Sequence, residues 1–404
     1  MSEDLLDLEV GAVAHGGHCV ARHEGRVVFV RHALPGERVL ARITEDGGGS
    51  YCRADAVRVL RASSARVAPP CRFAGAGRCG GCDFQHVDPA EQRRLKAAVV
   101  AEQLTRLGGL PDVAVEVEEL PGGALGWRTR MQFAVDRSGR PGLRRHRSHD
   151  VEHVDDCVIA HPDLVVSEVL GRSWGATREV DVVRAGGSRT VLRRPVRGAV
   201  KLIGPGSGRV EAAGRGWRVS AGGFWQVHPA AADVLARCVL DFAGVGPGER
   251  CLDLYAGAGL FGGVLAPVVG PSGSVLCVES DEIAVADALV NLDGMGWAGV
   301  RRARVDAALI GGLAAYDVAV LDPPRSGAGR EIVQALTAGP ARAVVYVACD
   351  PAALARDVAT FRQAGWRLDR LRAFDCYPMT HHVECVALLT PGSSVADPAA
   401  APVT

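Results

Sequence analysis

Apolar and polar positions alternate in short runs over residues 6–62, and glycines interrupt the runs. Segments 10–13, 25–30, 37–43 and 52–60 each read as a strand, with Leu34-Pro35-Gly36-Glu37 as a turn. Short strands at this spacing predict a small closed β-barrel. The period changes at Asp88-Pro89-Ala90-Glu91, where an acid, a proline and a glutamate occupy the N-cap and the first and third helical positions. A helix is expected from there to Leu107, stopped by Gly108-Gly109. Alternation returns over 113–200, as in Met131-Gln132-Phe133-Ala134-Val135, and predicts a central antiparallel sheet. Beyond residue 219 a helix at 230–242 leads into strands expected at 251–255, 274–278, 300–305, 317–321, 343–348 and 383–389, with helical stretches between most of them. That order predicts an α/β, Rossmann-like doubly wound domain. The expected boundaries are 1–62 for the barrel, 63–218 for the central unit and 219–390 for the α/β domain, with a disordered Pro-, Ala- and Ser-rich tail at 391–404.

Size supports several cores: 404 residues, 48% of them hydrophobic, can bury two or three. The 46 basic and 46 acidic residues cancel, so only local clusters argue for a polyanionic partner. One such cluster is Arg128, Arg130, Arg137, Arg140, Arg144, Arg145, His146 and Arg147, which would form an RNA-facing basic patch if the side chains share one face. No apolar run is long enough to span a membrane, and the acidic start Met1-Ser2-Glu3-Asp4 is unlike a signal peptide. A cytoplasmic protein is expected, and in a reducing compartment its 12 cysteines read as ligands, nucleophiles or buried thiols.

Three of those cysteines, Cys71, Cys79 and Cys82, fall within residues 71–82, the last two as Cys79-Gly80-Gly81-Cys82. The paired glycines permit a tight turn and leave backbone N–H groups to point at sulfur. A fourth ligand is needed, and Cys157 is the candidate because the remaining cysteines lie in segments read as parts of other units. Four thiolates hold either zinc or an iron-sulfur cluster, and the spacing does not choose between them.

In the α/β domain the first strand runs into Asp253-Leu254-Tyr255-Ala256-Gly257-Ala258-Gly259, and the second ends in Glu279. An acid about twenty residues past a glycine-rich turn is placed to accept hydrogen bonds from a ribose. The turn lacks the Gly-x-Gly-x-x-Gly form, which favours S-adenosylmethionine over a dinucleotide. The fourth strand ends in Asp322-Pro323-Pro324-Arg325, where an acid and an arginine replace the amide and aromatic suited to methylating an exocyclic amine. A carbon target remains, and it needs separate activation. Cys349, in Tyr346-Val347-Ala348-Cys349-Asp350-Pro351, can supply it by adding to a uracil ring carbon and making its neighbour nucleophilic. Glu384, in His381-His382-Val383-Glu384, is the candidate base for the ring proton. Asp306 is a further strand-end acid that would contact an adenine edge or solvent.

Residues 16–30 and the Leu34-Pro35-Gly36-Glu37 turn resemble the TRAM domain, an RNA-binding barrel. Cys79-Gly80-Gly81-Cys82, Phe224-Trp225-Gln226-Val227, Asp322-Pro323-Pro324-Arg325-Ser326-Gly327, the Cys349 motif with Leu354-Ala355-Arg356-Asp357, and His381-His382-Val383-Glu384 extend a likeness over nearly the whole chain. Together they resemble the bacterial RNA 5-methyluridine methyltransferases of the 23S ribosomal RNA type, which carry a TRAM domain and an iron-sulfur cluster. The resemblance implies Cys349 as nucleophile and Glu384 as base. It implies S-adenosylmethionine held by Gln226, Tyr255, Glu279 and Asp322, and a 4Fe-4S cluster on Cys71, Cys79, Cys82 and Cys157. It further implies 23S rRNA as partner, no membrane, and a monomer. Transfer RNA is the alternative substrate. A catalytically silent metal-cluster RNA-binding protein is the alternative class, motivated by Asp350 standing where the family usually has Asn. His228 likewise replaces a common Asn, and the spacer between Cys71 and Cys79 is longer than usual.

Overall fold

The computed structural model describes residues 5–313 and 315–392. The acidic start and residues 393–404 of the expected tail lie outside them.

The N-terminal strands Leu6–Glu9, Cys19–His23, Arg26–Arg31, Arg38–Glu45 and Tyr51–Arg61 form one five-stranded sheet. It curls on itself: past the first strand, the Gly11 N–H donates to Val20 O at 2.7 Å and the Val20 N–H to Ala12 O at 2.8 Å. Leu8, Val28, Val30 and Val39 fill the inside. The predicted turn is pinned by Glu37, a fully buried carboxylate that accepts from Leu34 N at 2.9 Å and pairs with Arg66 at 2.6 Å.

A six-stranded antiparallel sheet follows, ordered Lys201–Ile203, Ser188–Pro195, Thr177–Ala185, Arg130–Val135, Pro141–Arg144, Val151–Glu152. Phe133, Val180, Val182, Leu164 and Trp174 make its core. Part of the basic run is engaged within the protein, and two of its members, Arg128 and His146, line the large cavity described below. Arg144, Arg145 and Arg147 pair with Glu179, Glu152 and Glu45, while Arg130 turns inward to the carbonyls of Ser220 and Gly223.

The C-terminal sheet has eight strands in the order Ala298–Arg302, Ser274–Glu279, Arg250–Leu254, Val318–Leu321, Ala343–Ala348, Glu384–Pro391, Trp366–Asp375, Val117–Glu119. The strand Trp366–Asp375 was not among those read from the sequence, and the third strand ends at Arg302 rather than 305. The helix Pro89–Arg106 starts at the expected Asp88 cap, whose side chain accepts from Ala90 N and Glu91 N. With the strand Val117–Glu119 it packs on this C-terminal sheet, so part of the 63–218 stretch builds the α/β unit. A buried ion pair fixes the helix there: Lys96 Nζ lies 2.5 Å from Asp375 and also donates to Tyr377 O at 3.1 Å.

Candidate active site

Topology alone brings the proposed nucleophile and base together. The five strands from Ala298–Arg302 to Ala343–Ala348 run parallel, so their carboxyl ends share one edge. Glu384–Pro391 runs antiparallel to its neighbour and therefore begins at that edge. Its register pairs Ala348 with Cys385, and one step further along places Cys349 opposite Glu384. Asp322 follows the end of Val318–Leu321 on the next strand over. All six residues expected to act, Cys349, Glu384, Gln226, Tyr255, Glu279 and Asp322, line one cavity of about 1670 Å³. Asp306 lines it too, but its carboxylate is occupied as a helix N-cap on Leu309 N at 2.8 Å.

The acids at this edge oppose one another's ionisation. Burial holds Glu384 well above the usual carboxylate range, and the Asp322 charge raises it further. Asp322 is pushed up to about 7 by burial and then by Asp253. Burial, then Glu384 and Asp322, push the Cys349 thiol up to about 12, with Arg325 pulling the other way. At neutral pH Cys349 is therefore held as a thiol. A cation arriving beside Asp322 would relieve the repulsion and favour thiolate.

Backbone geometry shapes the glycine-rich turn. Tyr255 sits at φ 64°, a conformation disfavoured for a residue with a Cβ, followed by Gly257 at 56° and Gly259 at 83°. Glu279 braces the turn by accepting from Gly257 N at 2.9 Å and from its own loop at Asp281 N, 2.8 Å. Beneath lies Asp253, fully buried, with Oδ2 accepting from Gly262 N at 2.6 Å and Oδ1 unpartnered among the described residues. Burial lifts this carboxyl from 3.8 to about 7. Because the folded value is the higher, Asp253 contributes stability that is complete below pH 4 and lost as pH rises through about 7. A displacement of that size corresponds to roughly 4 kcal/mol. In Asp253→Asn the fall in melting temperature between pH 5 and pH 8.5 should shrink, read by calorimetry at both pH values. An unchanged pH slope would show that Asp253 does not titrate in this range.

Asp350, the departure next to the nucleophile, caps the helix Pro351–Gln363 by accepting from Ala353 N at 2.8 Å and meets His15 of the barrel at 3.0 Å. It comes last among the groups acting on Cys349. The barrel approaches closely here: a Cβ on Gly17, at φ 78°, would stand 2.7 Å from His381 Cβ. His228 stacks on Trp127 at 6.0 Å, is buried and held down to about 4, and accepts from Ala230 N at 3.2 Å. Sequence reasoning assigned no role to Phe224, 60% exposed on the cavity wall, or to Tyr377, whose hydroxyl donates to Glu384 at 3.1 Å. Phe224 lay inside a quoted motif, whereas nothing in the sequence singled out Tyr377. The thiols Cys238, Cys251, Cys277, Cys376 and Cys385 are buried.

Cys71, Cys79, Cys82 and Cys157 line a second cavity of about 330 Å³. Backbone donors already face sulfur: Gly81 N stands 3.4 Å from Cys79 Sγ, and Ile159 and Ala160 donate to Cys157. Burial pushes Cys79 up to about 11, and Cys157 and Cys71 add to the rise. Among the described residues no group of three or more His, Cys, Asp or Glu is arranged to hold a metal ion. No helix among them is long and apolar enough to cross a membrane.

Comparison with known proteins gives this geometry a family. Residues 5–57 match the TRAM domain, and residues 310–391 match the tRNA (uracil-5-)-methyltransferase family. An uncharacterized RNA methyltransferase of Streptomyces avermitilis is 49% identical over 96% of this chain and 98% of its own length. A 23S rRNA (uracil(1939)-C(5))-methyltransferase of Chromohalobacter salexigens is 32% identical over 95% of this chain and 89% of its own. The crystal structure of Pyrococcus abyssi tRNA (uracil-54, C5)-methyltransferase with S-adenosyl-L-homocysteine superposes at a TM-score of 0.70, with 22% identity, covering 95% of this chain and 99% of that one; the two share a fold. The family match spans the strands that set Cys349 against Glu384, and near-full-length identity of 49% extends the kinship to the whole chain, which belongs to the RNA uracil-5-methyltransferases.

Proposed function

We propose that the protein methylates carbon 5 of a uridine in 23S ribosomal RNA, with S-adenosylmethionine as donor and a covalent bond between Cys349 and the base on the way. The observation that carries this reading is the register that sets Cys349 opposite Glu384 in the cavity that Asp322 also lines. The thiolate of Cys349 adds to ring carbon 6, and the electron pair released into the ring makes carbon 5 a nucleophile. S-adenosylmethionine, when bound, supplies a methyl group on a cationic sulfur. Gln226, Tyr255, Glu279 and Asp322 would hold it, the carboxylate of Glu279 exchanging loop donors for ribose hydroxyls. Glu384 then takes the proton from carbon 5, the carbon–sulfur bond breaks with its electrons returning to Cys349, and the ring double bond re-forms.

The four cysteines fit an iron-sulfur cluster of the 4Fe-4S kind. All four line one cavity of about 330 Å³, room that a cluster would use and that a single zinc, at about 2.3 Å from each sulfur, would not need. Each corner of a cluster takes a different thiolate, and backbone N–H groups on sulfur favour the thiolate form. Such a cluster would cross-link residues 71–82 to Cys157.

The Chromohalobacter relative favours ribosomal RNA, and the shared fold with a transfer RNA enzyme keeps the other substrate as the comparison arm. Mapping 5-methyluridine in total RNA from cells with and without the gene is expected to show one modified uridine lost from 23S rRNA. Loss from transfer RNA alone would refute the ribosomal assignment.

A further inference from the structure

We propose that Tyr377 is a positioning residue for Glu384: its hydroxyl holds one carboxylate oxygen so that the other faces the base, and this sets the rate of proton removal after methyl transfer. The inference rests on the reading of Glu384 as base.

The geometry is specific. Tyr377 Oη donates to Glu384 Oε2 at 3.1 Å, while Oε1 accepts no hydrogen bond from the described residues. A carboxylate with two equivalent oxygens and a free final torsion has no preferred orientation by itself, and one donor removes that freedom. Tyr377 is itself immobilised. Its carbonyl accepts from Lys96 Nζ at 3.1 Å and from Thr380 Oγ1 at 2.8 Å. Its ring meets Trp127 edge-on at 6.2 Å and His382 at 5.8 Å. Lys96 in turn is locked to Asp375, so a chain of hydrogen bonds runs from the helix Pro89–Arg106 to the oxygen that Tyr377 holds.

The hydroxyl also matters to the step that follows transfer. There the base must be an anion when it meets the carbon-5 proton; the proton goes to Oε1, the carbon–sulfur pair returns to Cys349, and nothing else is consumed. A hydrogen bond donated to the carboxylate favours that anion in a site where burial and Asp322 disfavour it. Addition of Cys349 to carbon 6 needs neither the orientation nor the charge of Glu384. Loss of the hydroxyl should therefore slow elimination selectively.

The test compares the parent, Tyr377→Phe and Glu384→Gln on 23S rRNA from cells lacking the gene, tritiated at uracil carbon 5. Tyr377→Phe keeps the ring and its packing. It is expected to release tritium roughly tenfold more slowly, with KM for RNA within twofold of the parent, and to accumulate a protein–RNA adduct visible on a denaturing gel. Glu384→Gln should accumulate the same adduct without turnover. If Glu384→Gln traps the adduct and Tyr377→Phe matches the parent, the positioning role falls and the base assignment stands. If Tyr377→Phe is slow but accumulates no adduct, Tyr377 acts before elimination and the inference is overturned. A Glu384→Gln enzyme that turns over normally removes the base assignment and this inference with it.

Discussion

Cys349→Ala is expected to lower methyl transfer by at least about four orders of magnitude while leaving S-adenosylmethionine binding, measured by calorimetry, within about twofold of the parent. The size of the effect follows from the target. Carbon 5 of a uracil is a poor nucleophile until carbon 6 is saturated, and among the described residues the other partner of Glu384 across the sheet is Phe374, which has no nucleophilic group, while the adjacent Cys385 is fully buried within its strand. The cost to the fold should be slight, because burial first and then the two acids it faces lift the thiol to about 12, and it therefore contributes no charge interaction at neutral pH. A melting temperature close to the parent's would separate lost chemistry from lost structure. Transfer within tenfold of the parent would end the covalent reading, and with it the role of Cys349.

Most strands of the catalytic sheet were legible because they are runs of apolar residues buried on both faces, as in Ala343–Ala348, where every residue is buried. Trp366–Asp375 escaped because Arg367, Asp369, Arg370 and Arg372 break its apolar pattern, and the partners of Arg370 and Arg372, Asp241 and Glu118, are brought to them only by the fold. The helix Pro89–Arg106 was read correctly as an element, yet nothing local says that its Lys96 is fully buried against a carboxylate 279 residues away. The same limit hid Tyr377, whose meaning lies in a hydrogen bond to Glu384 rather than in its neighbours along the chain. Asp350 is the reverse case. From the sequence it could either raise the thiol beside it or cap the helix that follows. In the fold its charge is engaged by a helix terminus and by His15, and burial, Glu384 and Asp322 outrank it in raising Cys349.

Cys82→Ser is expected to remove the visible absorbance of anaerobically purified protein, lower the melting temperature by on the order of 5–10 °C, and reduce turnover although no cysteine of this group lies in the catalytic cavity. The link runs through the residue after it. Asp83 N and Phe84 N both donate to Met379 O, at 3.0 and 2.9 Å, and the Asp83 carboxylate takes His381 Nδ1 at 2.6 Å and Arg31 of the barrel at 3.3 Å. The segment so braced carries Tyr377 and ends at Glu384. Met379 is held at φ 68°, a strained conformation that persists only while its surroundings impose it. A cluster held by all four thiolates would tie residues 71–82 to Cys157, and losing one of its ligands would release that tie. The barrel contact, the Met379 turn and the base would then loosen together. A colourless protein carrying one equivalent of zinc, with Cys82→Ser as active as the parent, would overturn both the cluster and this coupling.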